Sequence, residues 1–383
     1  MKLVVFSSKL VWANPESPSG YSTDGGFAFQ MAAISQIFDE IIIVVPFSKN
    51  RFIDGEVNIE GHNLKVYPLA NIKGHGLKRK MYYIPWLLRN IFIFNNLINS
   101  ADAVHTPIPS DMGTLGMVLA KLKNKPLFVR YCGNWLVQRT RAMKFWKWFM
   151  EKYAGGKNVM LATGLQYGAP SKKNPNIKWI FSSSLSRLEM INLKRGLPRL
   201  DIKDPRLIIV CRIEERKGVD KVIMAVNLIK DNYPTIHLDV VGKGQELEKL
   251  RNMVNELNLY KNVTFHGKLN HENVLNTLKG AHIFCYPTTA SEGFPKVVLE
   301  SLAAGLPVFG TPVSAIKALL KGGGGVVLED AKPETLAWEL KNLLLHPEKY
   351  ILMQQEALNT AMGFSLEDWR DTIKLYLQNA WGL

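Results

Sequence analysis

An α/β fold of two doubly wound, Rossmann-like domains is predicted by three observations. Short apolar, β-branched runs alternate with longer helical patterns along the chain, the signature of parallel strands joined by helices. The alternation breaks at Gly196–Pro205, an aperiodic stretch with two prolines that reads as a linker. With 383 residues there is enough chain for two cores of ordinary size.

In the first half, Val4–Ser8 and Ile41–Phe47 read as strands, with a helix from about Gly26 to Phe38 between them. Ala103–His105, Leu127–Tyr131, Val159–Ala162 and Trp179–Phe181 are further strand segments. After the linker, Leu207–Cys211 reads as a strand, Val219–Ile229 as a helix and His237–Val241 as a strand. A helix at Gln245–Leu257, a strand at Val263–His266 and a helix near Asn270–Leu278 follow. The series ends with a strand at Ile283–Tyr286, a helix at Pro295–Ala304 and a strand at Val308–Gly310. Domains are therefore expected at 1–196 and 205–365. Ligands of such sheets sit beyond the C-terminal ends of the strands.

Hydrophobic residues at 47% and charged ones at 21% are globular values and exclude disorder of the whole chain. Cys132, Cys211 and Cys285 lie far apart and read as reduced thiols of a cytoplasmic protein. Met1–Ser7 is too short an apolar run for a signal peptide and reads as a first buried strand. The stretch Met81–Ile98 is broken by Pro85, Arg89, Asn90, Asn95 and Asn96. A membrane span needs about 20 mostly apolar residues, so none is expected.

The net charge of +15 is unevenly placed. Residues 1–200 hold 27 basic and 11 acidic residues, the rest 21 and 22. Such asymmetry points to an anionic partner of the first half. Lys78–Tyr83 and Arg139–Phe149 mix cations with large aromatics, which suits an anionic membrane interface or, alternatively, a core face backed by a solvated cationic one. No nucleic-acid-binding motif accompanies the charge.

Three segments stand where strands end and helices begin. In Ser291-Glu292-Gly293-Phe294-Pro295-Lys296-Val297-Val298-Leu299-Glu300, the glycine permits close backbone approach and Pro295 suits a first helical position. First-turn N–H groups make a phosphate site, and two flanking carboxylates suit ligand hydroxyls. Alternatively Glu292 caps the helix electrostatically and Glu300 is solvated. In Cys211-Arg212-Ile213-Glu214-Glu215-Arg216-Lys217-Gly218, Arg212 and Lys217 suit a diphosphate, or belong to a solvated charged loop. Gly242-Lys243-Gly244 is followed by Leu247 where the dinucleotide fingerprint needs glycine, so it is a tight turn or a ligand contact.

In order and spacing these segments resemble the retaining glycosyltransferases of family 4, glycosyl transferases group 1, which have the GT-B fold. Glu292 and Glu300 match the Glu-x7-Glu element, Arg212 with Lys217-Gly218 the Arg-x4-Lys-Gly element, and Gly305-x-Pro307-Val308 the Gly-x-Pro-Val that follows. Val263–Gly267 looks like the strand whose end lies against the base, and Thr23-Asp24-Gly25-Gly26 like the glycine pair facing the donor phosphates. Phe364–Trp369 and the helix to Gln378 resemble the last helix, so that 366–383 is expected to return to the N-terminal domain. Two departures stand out. Cys132 occupies the place of a common histidine, and Pro312-Val313-Ser314-Ala315 replaces a usual Gly-Gly.

The resemblance implies donor contacts at Gly25, Gly26, Arg212, Lys217, Gly242, Gly267, Glu292, Gly293, Phe294, Pro295, Lys296, Val297 and Glu300. Glu300 is expected on the ribose and Glu292 on the sugar, with Glu292, Arg212 and Lys217 catalytic. No metal is expected, since Asp-x-Asp, His-Glu-x-x-His and Cys-x-x-Cys are missing. No cofactor is expected either: a UDP- or GDP-linked sugar is the substrate. The acceptor is expected to be a glycan or lipid-linked glycan of envelope polysaccharide biosynthesis, met at the cytoplasmic face of an anionic membrane. A nucleotide-sugar epimerase or phosphorylase on the same fold, or a non-catalytic membrane or nucleic-acid adaptor, are the alternatives.

Overall fold

The computed structural model describes all residues except Lys73, His75, Tyr167 and Leu383. Gly76, Leu77 and Lys80 are described by backbone alone, so Lys80 of the basic run lies outside the described side chains. Two compact units divide the chain: Met1–Phe181 with Trp369–Leu383, and Ser182–Asp368.

The first unit is built on β1 (Lys2–Phe6), β2 (Val11–Ala13), β3 (Tyr21–Asp24), α1 (Phe27–Ser35), β4 (Glu40–Ser48), β5 (Glu56–Asn58) and β6 (Leu64–Ala70). It continues through α2 (Gly76–Ser100), β7 (Ala103–Ile108), α3 (Asp111–Leu122), β8 (Leu127–Tyr131), α4 (Arg141–Tyr153), β9 (Asn158–Thr163) and β10 (Lys178–Ile180). Parallel strands run β6-β4-β1-β7-β8-β9-β10, and β2, β3 and β5 extend the sheet beside β4. Both faces of β7, β8 and β9 are buried, as a parallel sheet covered by helices requires. Helices α3 and α4 start on serine and threonine caps, Ser110 and Thr140, whose side chains accept the N–H groups of Gly113 and Met143.

α2 was not foreseen as one helix, because Pro85 lies within it. Its apolar face supplies the reason it forms: Trp86, Phe94 and Ile98 are buried at helical spacing, and Phe94 stacks on Phe6 at 4.4 Å. The arm of β2, β3 and β5 was also unforeseen. Among the described residues no helix is long and apolar enough to cross a membrane.

The second unit comprises α5 (Arg187–Lys194), β11 (Arg206–Val210), α6 (Val219–Ile229), β12 (His237–Val241), α7 (Leu247–Glu256), β13 (Val263–Gly267) and α8 (His271–Lys279). β14 (Ile283–Tyr286), α9 (Lys296–Ala303), β15 (Val308–Gly310), α10 (Ile316–Leu319), β16 (Gly325–Val327), α11 (Pro333–Leu345) and α12 (Pro347–Ala361) complete it. Its six strands are parallel in the order β13-β12-β11-β14-β15-β16, the doubly wound order whose switch point lies between the first and fourth strands.

The division after Phe181 comes before the Gly196–Pro205 stretch. α5 and the serines ahead of it belong with the second unit: Ser184 donates to Glu300, and the Leu185 carbonyl accepts from Leu366. The stretch itself is tied there by Gln354, which donates to the Pro198 carbonyl at 2.8 Å. The last helix, α13 (Leu366–Trp381), leaves the second unit and from Trp369 onward belongs to the first. Trp369 is fully buried beneath the Arg130 guanidinium, 5.0 Å from its ring centroid, and Trp381 Nε1 donates to the Lys157 carbonyl. The closing helix thus returns to the N-terminal unit.

Candidate active site

The switch point of the second sheet is the crevice between β11 and β14, and the two charged segments leave the sheet there. After β11 the chain forms a short 3-10 turn, Glu215–Lys217, and Gly218 then starts α6 at φ 77. A Cβ on Gly218 would stand 2.5 Å from the Pro287 carbonyl oxygen, so only glycine lets this turn press against the segment after β14. That contact brings Lys217 to Tyr286 and Glu292.

Lys217 is buried, its Nζ ion-paired with Glu292 Oε1 and 3.1 Å from the Tyr286 hydroxyl. Tyr286 Oη is 3.2 Å from the same Glu292 oxygen. Burial pulls the Lys217 ammonium below the usual lysine value; Arg212 acts in the same direction, and Cys211 and Glu214 oppose it. Burial also raises Tyr286 and pushes the Cys211 thiol up to about 12, so both stay protonated beside the ammonium. Arg212 is placed differently. Its side chain is 77% exposed and pairs with Glu214 at 2.8 Å, so it is a surface cation, unlike the buried Lys217.

Gly293, Phe294 and Pro295 are buried in the loop after β14, with Phe294 packed on Phe364. Pro295 is the N-cap of α9, one place earlier than the first helical position expected for it. Lys296 and Val297 open the helix, where N–H groups lack intrahelical acceptors. Glu300 is buried rather than solvated, and its Oε1 accepts the Ser184 hydroxyl at 2.6 Å. Gly242 follows β12 and donates its N–H to the carbonyl of Gly267, the last residue of β13. Lys217, Glu292, Gly293, Phe294, Pro295, Lys296, Val297 and Glu300 thus share two adjacent elements, while Gly242 and Gly267 stand at neighbouring strand ends.

Gly25 and Gly26 belong to the first unit, where Gly26 caps α1 and Gly25 has φ 65. Cys132, in the same unit, is exposed just after β8, with its N–H on the Ile108 carbonyl. Sequence reasoning missed Tyr286, Ser184, Ser314 and His271. Tyr286 carried a signal, as the polar-tipped residue closing an apolar strand before Pro287, and Ser314 lies in the stretch noted for replacing a Gly-Gly. Among the described residues, no group of three His, Cys, Asp or Glu side chains is placed to hold a metal ion.

Residues 194–360 match the family model of glycosyl transferases group 1. An uncharacterized glycosyltransferase of Haemophilus influenzae is 28% identical over 176 residues, 45% of this chain and 48% of that protein. The GDP-mannose-dependent monoacylated alpha-(1-6)-phosphatidylinositol monomannoside mannosyltransferase of Corynebacterium glutamicum is 30% identical over 157 residues, 39% of this chain and 41% of the relative. The chain thus spans under half the length of these curated relatives. Among solved structures, Anabaena Alr3699/HepE in complex with UDP and glucose superposes with a TM-score of 0.70 at 14% identity, over 98% of this chain and 99% of that one. WaaG, a glycosyltransferase involved in lipopolysaccharide biosynthesis, gives 0.64 at 15% identity over the full length of both chains. The chain has the GT-B fold, and its residues 194–360 match the glycosyl transferases group 1 family.

Proposed function

We propose that the chain is a retaining, metal-independent glycosyltransferase that moves a hexose from a UDP- or GDP-linked donor to a glycan or lipid-linked acceptor. The observation that carries this reading is the convergence of Lys217, Tyr286 and Glu292 at the switch point of the second sheet. Without a ligand, Lys217 is neutralised by Glu292. A donor diphosphate supplies a stronger anion at the same ammonium, and Glu292 is released to accept hydroxyls of the donor sugar. Glu300, held by Ser184, accepts from the ribose.

Transfer breaks the bond between the anomeric carbon and the diphosphate oxygen and forms one to the acceptor oxygen on the same face. The acceptor proton passes to the departing diphosphate. Negative charge develops on that group; Lys217 and the first-turn amides of α9 stabilise it at the switch point, and Arg212 adds its charge by leaving Glu214. Names of the relatives support the donor class: a GDP-mannose-dependent mannosyltransferase in one case, a UDP complex in the other. WaaG, with its part in lipopolysaccharide biosynthesis, supports an envelope role.

The acceptor side is proposed to work at the cytoplasmic face of an anionic membrane. α2 turns Met81, Ile84, Leu88 and Phe92 to solvent at helical spacing, Phe92 being 74% exposed. On α4, exposed Trp148 and Phe145 stand among Lys144, Lys147 and Lys152. Both helices pack on α3, through Arg79 to Asp111 and Trp146 to Thr114. Apolar side chains backed by cations suit an anionic lipid interface.

The test is thermal stability of the pure protein against UDP-, GDP-, ADP- and CMP-sugars, with Arg212→Ala and Glu300→Ala as controls. A ligand at 100 times its Kd stabilises by about 2.7 kcal/mol. A shift with one base, lost in both variants, is expected. No shift with any nucleotide sugar at millimolar concentration would sink the transferase reading.

A further inference from the structure

Behind Glu300 lies a second set of charges. His271, the first residue of α8, has Nε2 3.2 Å from Glu189 Oε1 and Nδ1 4.0 Å from Glu300 Oε1. Glu189 is itself fixed as the third residue of the α5 capping box, its Oε2 accepting the Ser186 N–H and hydroxyl at 2.7 Å each. Lys296, at the start of α9, adds a positive charge that acts on the imidazole. One largely buried ring therefore stands between a carboxylate that caps α5 and the carboxylate read above as the ribose acceptor.

Two influences oppose a cation at this place. A helix N-terminus repels positive charge, and burial is the largest single influence on the ring. The hydrogen bond and charge of Glu189, with the charge of Glu300, outweigh burial and Lys296, so His271 titrates above its ordinary 6.5. As imidazolium it carries an N–H on each nitrogen, one toward Glu189 at 3.2 Å and one toward Glu300 at 4.0 Å, so that its charge pairs with both carboxylates at once. As neutral imidazole it has one N–H. Glu189, held by its capping bonds, keeps that donor at Nε2, and a lone pair on Nδ1 then faces Glu300.

We propose that His271 is a positioning residue of the nucleotide site: its charged form joins Glu189 to Glu300 and aims the Glu300 carboxylate at the ribose hydroxyls, so nucleotide affinity falls as His271 deprotonates. This inference rests on the donor-site reading of Glu300.

The experiment is titration calorimetry of the full chain with UDP-glucose and with GDP-mannose at about pH 6 and about pH 8.5, bracketing the imidazole. Nucleotide sugars serve better than free nucleoside diphosphates, because their diphosphate diester has no ionisation in this range. The wild-type protein is expected to bind one probe about fivefold or more tightly at the lower pH. His271→Gln should bind weakly and equally at both. Glu189→Gln should keep the pH dependence with its midpoint moved to lower pH, since one of the two carboxylates that hold the proton is gone. Equal wild-type affinity at the two pH values overturns the inference while leaving the donor site standing. An undiminished slope in His271→Gln overturns it too and assigns the titration to another group, such as Lys217. Binding of neither probe at either pH sinks the donor-site reading and this inference with it.

Discussion

The hydroxyl of Ser314 accepts the Glu292 N–H at 2.9 Å and donates to the Glu292 carbonyl at 2.5 Å. Ser314 holds φ 57, a left-handed conformation that costs a non-glycine residue about 1–2 kcal/mol. It stands in the Pro312–Ala315 stretch where the family resemblance led one to expect glycines. The chain has exchanged backbone ease for a side chain that grips the loop carrying Glu292. Ser314→Gly should therefore leave thermal stability within about 1 kcal/mol of wild type, relief of strain offsetting a lost hydrogen-bond pair. Turnover of the donor should nevertheless fall about tenfold, because Glu292 is no longer held. Ser314→Ala should lose both stability and turnover. Parallel melting curves and rate measurements separate the two; full activity in Ser314→Gly would show that the grip has no bearing on the reaction.

The two cations of the Arg-x4-Lys element should separate by experiment. Arg212 is exposed and pairs with Glu214, and surface pairs of this kind contribute about 0–1 kcal/mol. Arg212→Ala should melt with wild type and bind the donor more weakly, the loss shrinking at high salt. Lys217→Met removes a buried ammonium and leaves the Glu292 carboxylate with Tyr286 alone. It should lower the melting temperature and reduce the maximal rate about 100-fold or more, as loss of a fixed charge at the leaving group does. Equal behaviour of the two variants would mean that their different burial has no consequence.

Much of this was legible beforehand, and the reasons differ by element. Strands such as Leu127–Tyr131, His237–Val241 and Ile283–Tyr286 were read to the residue, because a buried parallel strand is a short β-branched or aromatic run between turn signals. α2 was hidden by Pro85 and by apolar residues on two faces. α11 and α12 were passed over although Pro333 and Pro347 mark their first positions, a signal that was available. Lys217, Glu292 and Glu300 were singled out because their segments stand at strand ends and match the motifs of the family the sequence resembles. Ser184, Tyr286 and His271 were not, because they reach those residues from other elements, and spacing holds no record of a contact 116 residues away such as that of Ser184 with Glu300.

His105 predicts an acid limit for the first unit. It is fully buried, stacked on Phe128 at 4.0 Å, with Nδ1 3.0 Å from the Phe128 carbonyl oxygen. Burial, aided by the charge of Arg130, lowers it from 6.5 to about 3. The unfolded chain takes up a proton near 6.5 and the folded unit refuses it until about 3, so the stability from this group is complete above 6.5 and is lost as the pH falls between those values. The loss is on the order of 5 kcal/mol. Urea midpoints of wild type and His105→Gln across this range should converge as the pH falls. Parallel pH profiles for the two proteins would contradict it.

Gly242 and Gly267, both expected to touch the donor, should respond differently to alanine. At Gly242, φ is 142 and a Cβ would lie 1.8 Å from the Cys211 carbonyl oxygen, a backbone atom that cannot turn aside. At Gly267, φ is 72 and the nearest atom is the Lys243 side chain at 3.8 Å. Gly267→Ala therefore meets only the left-handed penalty, about 1–2 kcal/mol. Gly242→Ala must also push β11 and β12 apart where Cys211 N–H bonds the Val241 carbonyl, and should cost more than about 4 kcal/mol, the range of changes that force a backbone to move. The displacement would reach Lys217 through the same segment, so any folded Gly242→Ala should also bind nucleotide sugars poorly. Gly267→Ala should fold normally, and its donor affinity then isolates what the end of β13 contributes to binding. Equal melting temperatures for the two variants would show that the turn after β12 yields as easily as the end of β13.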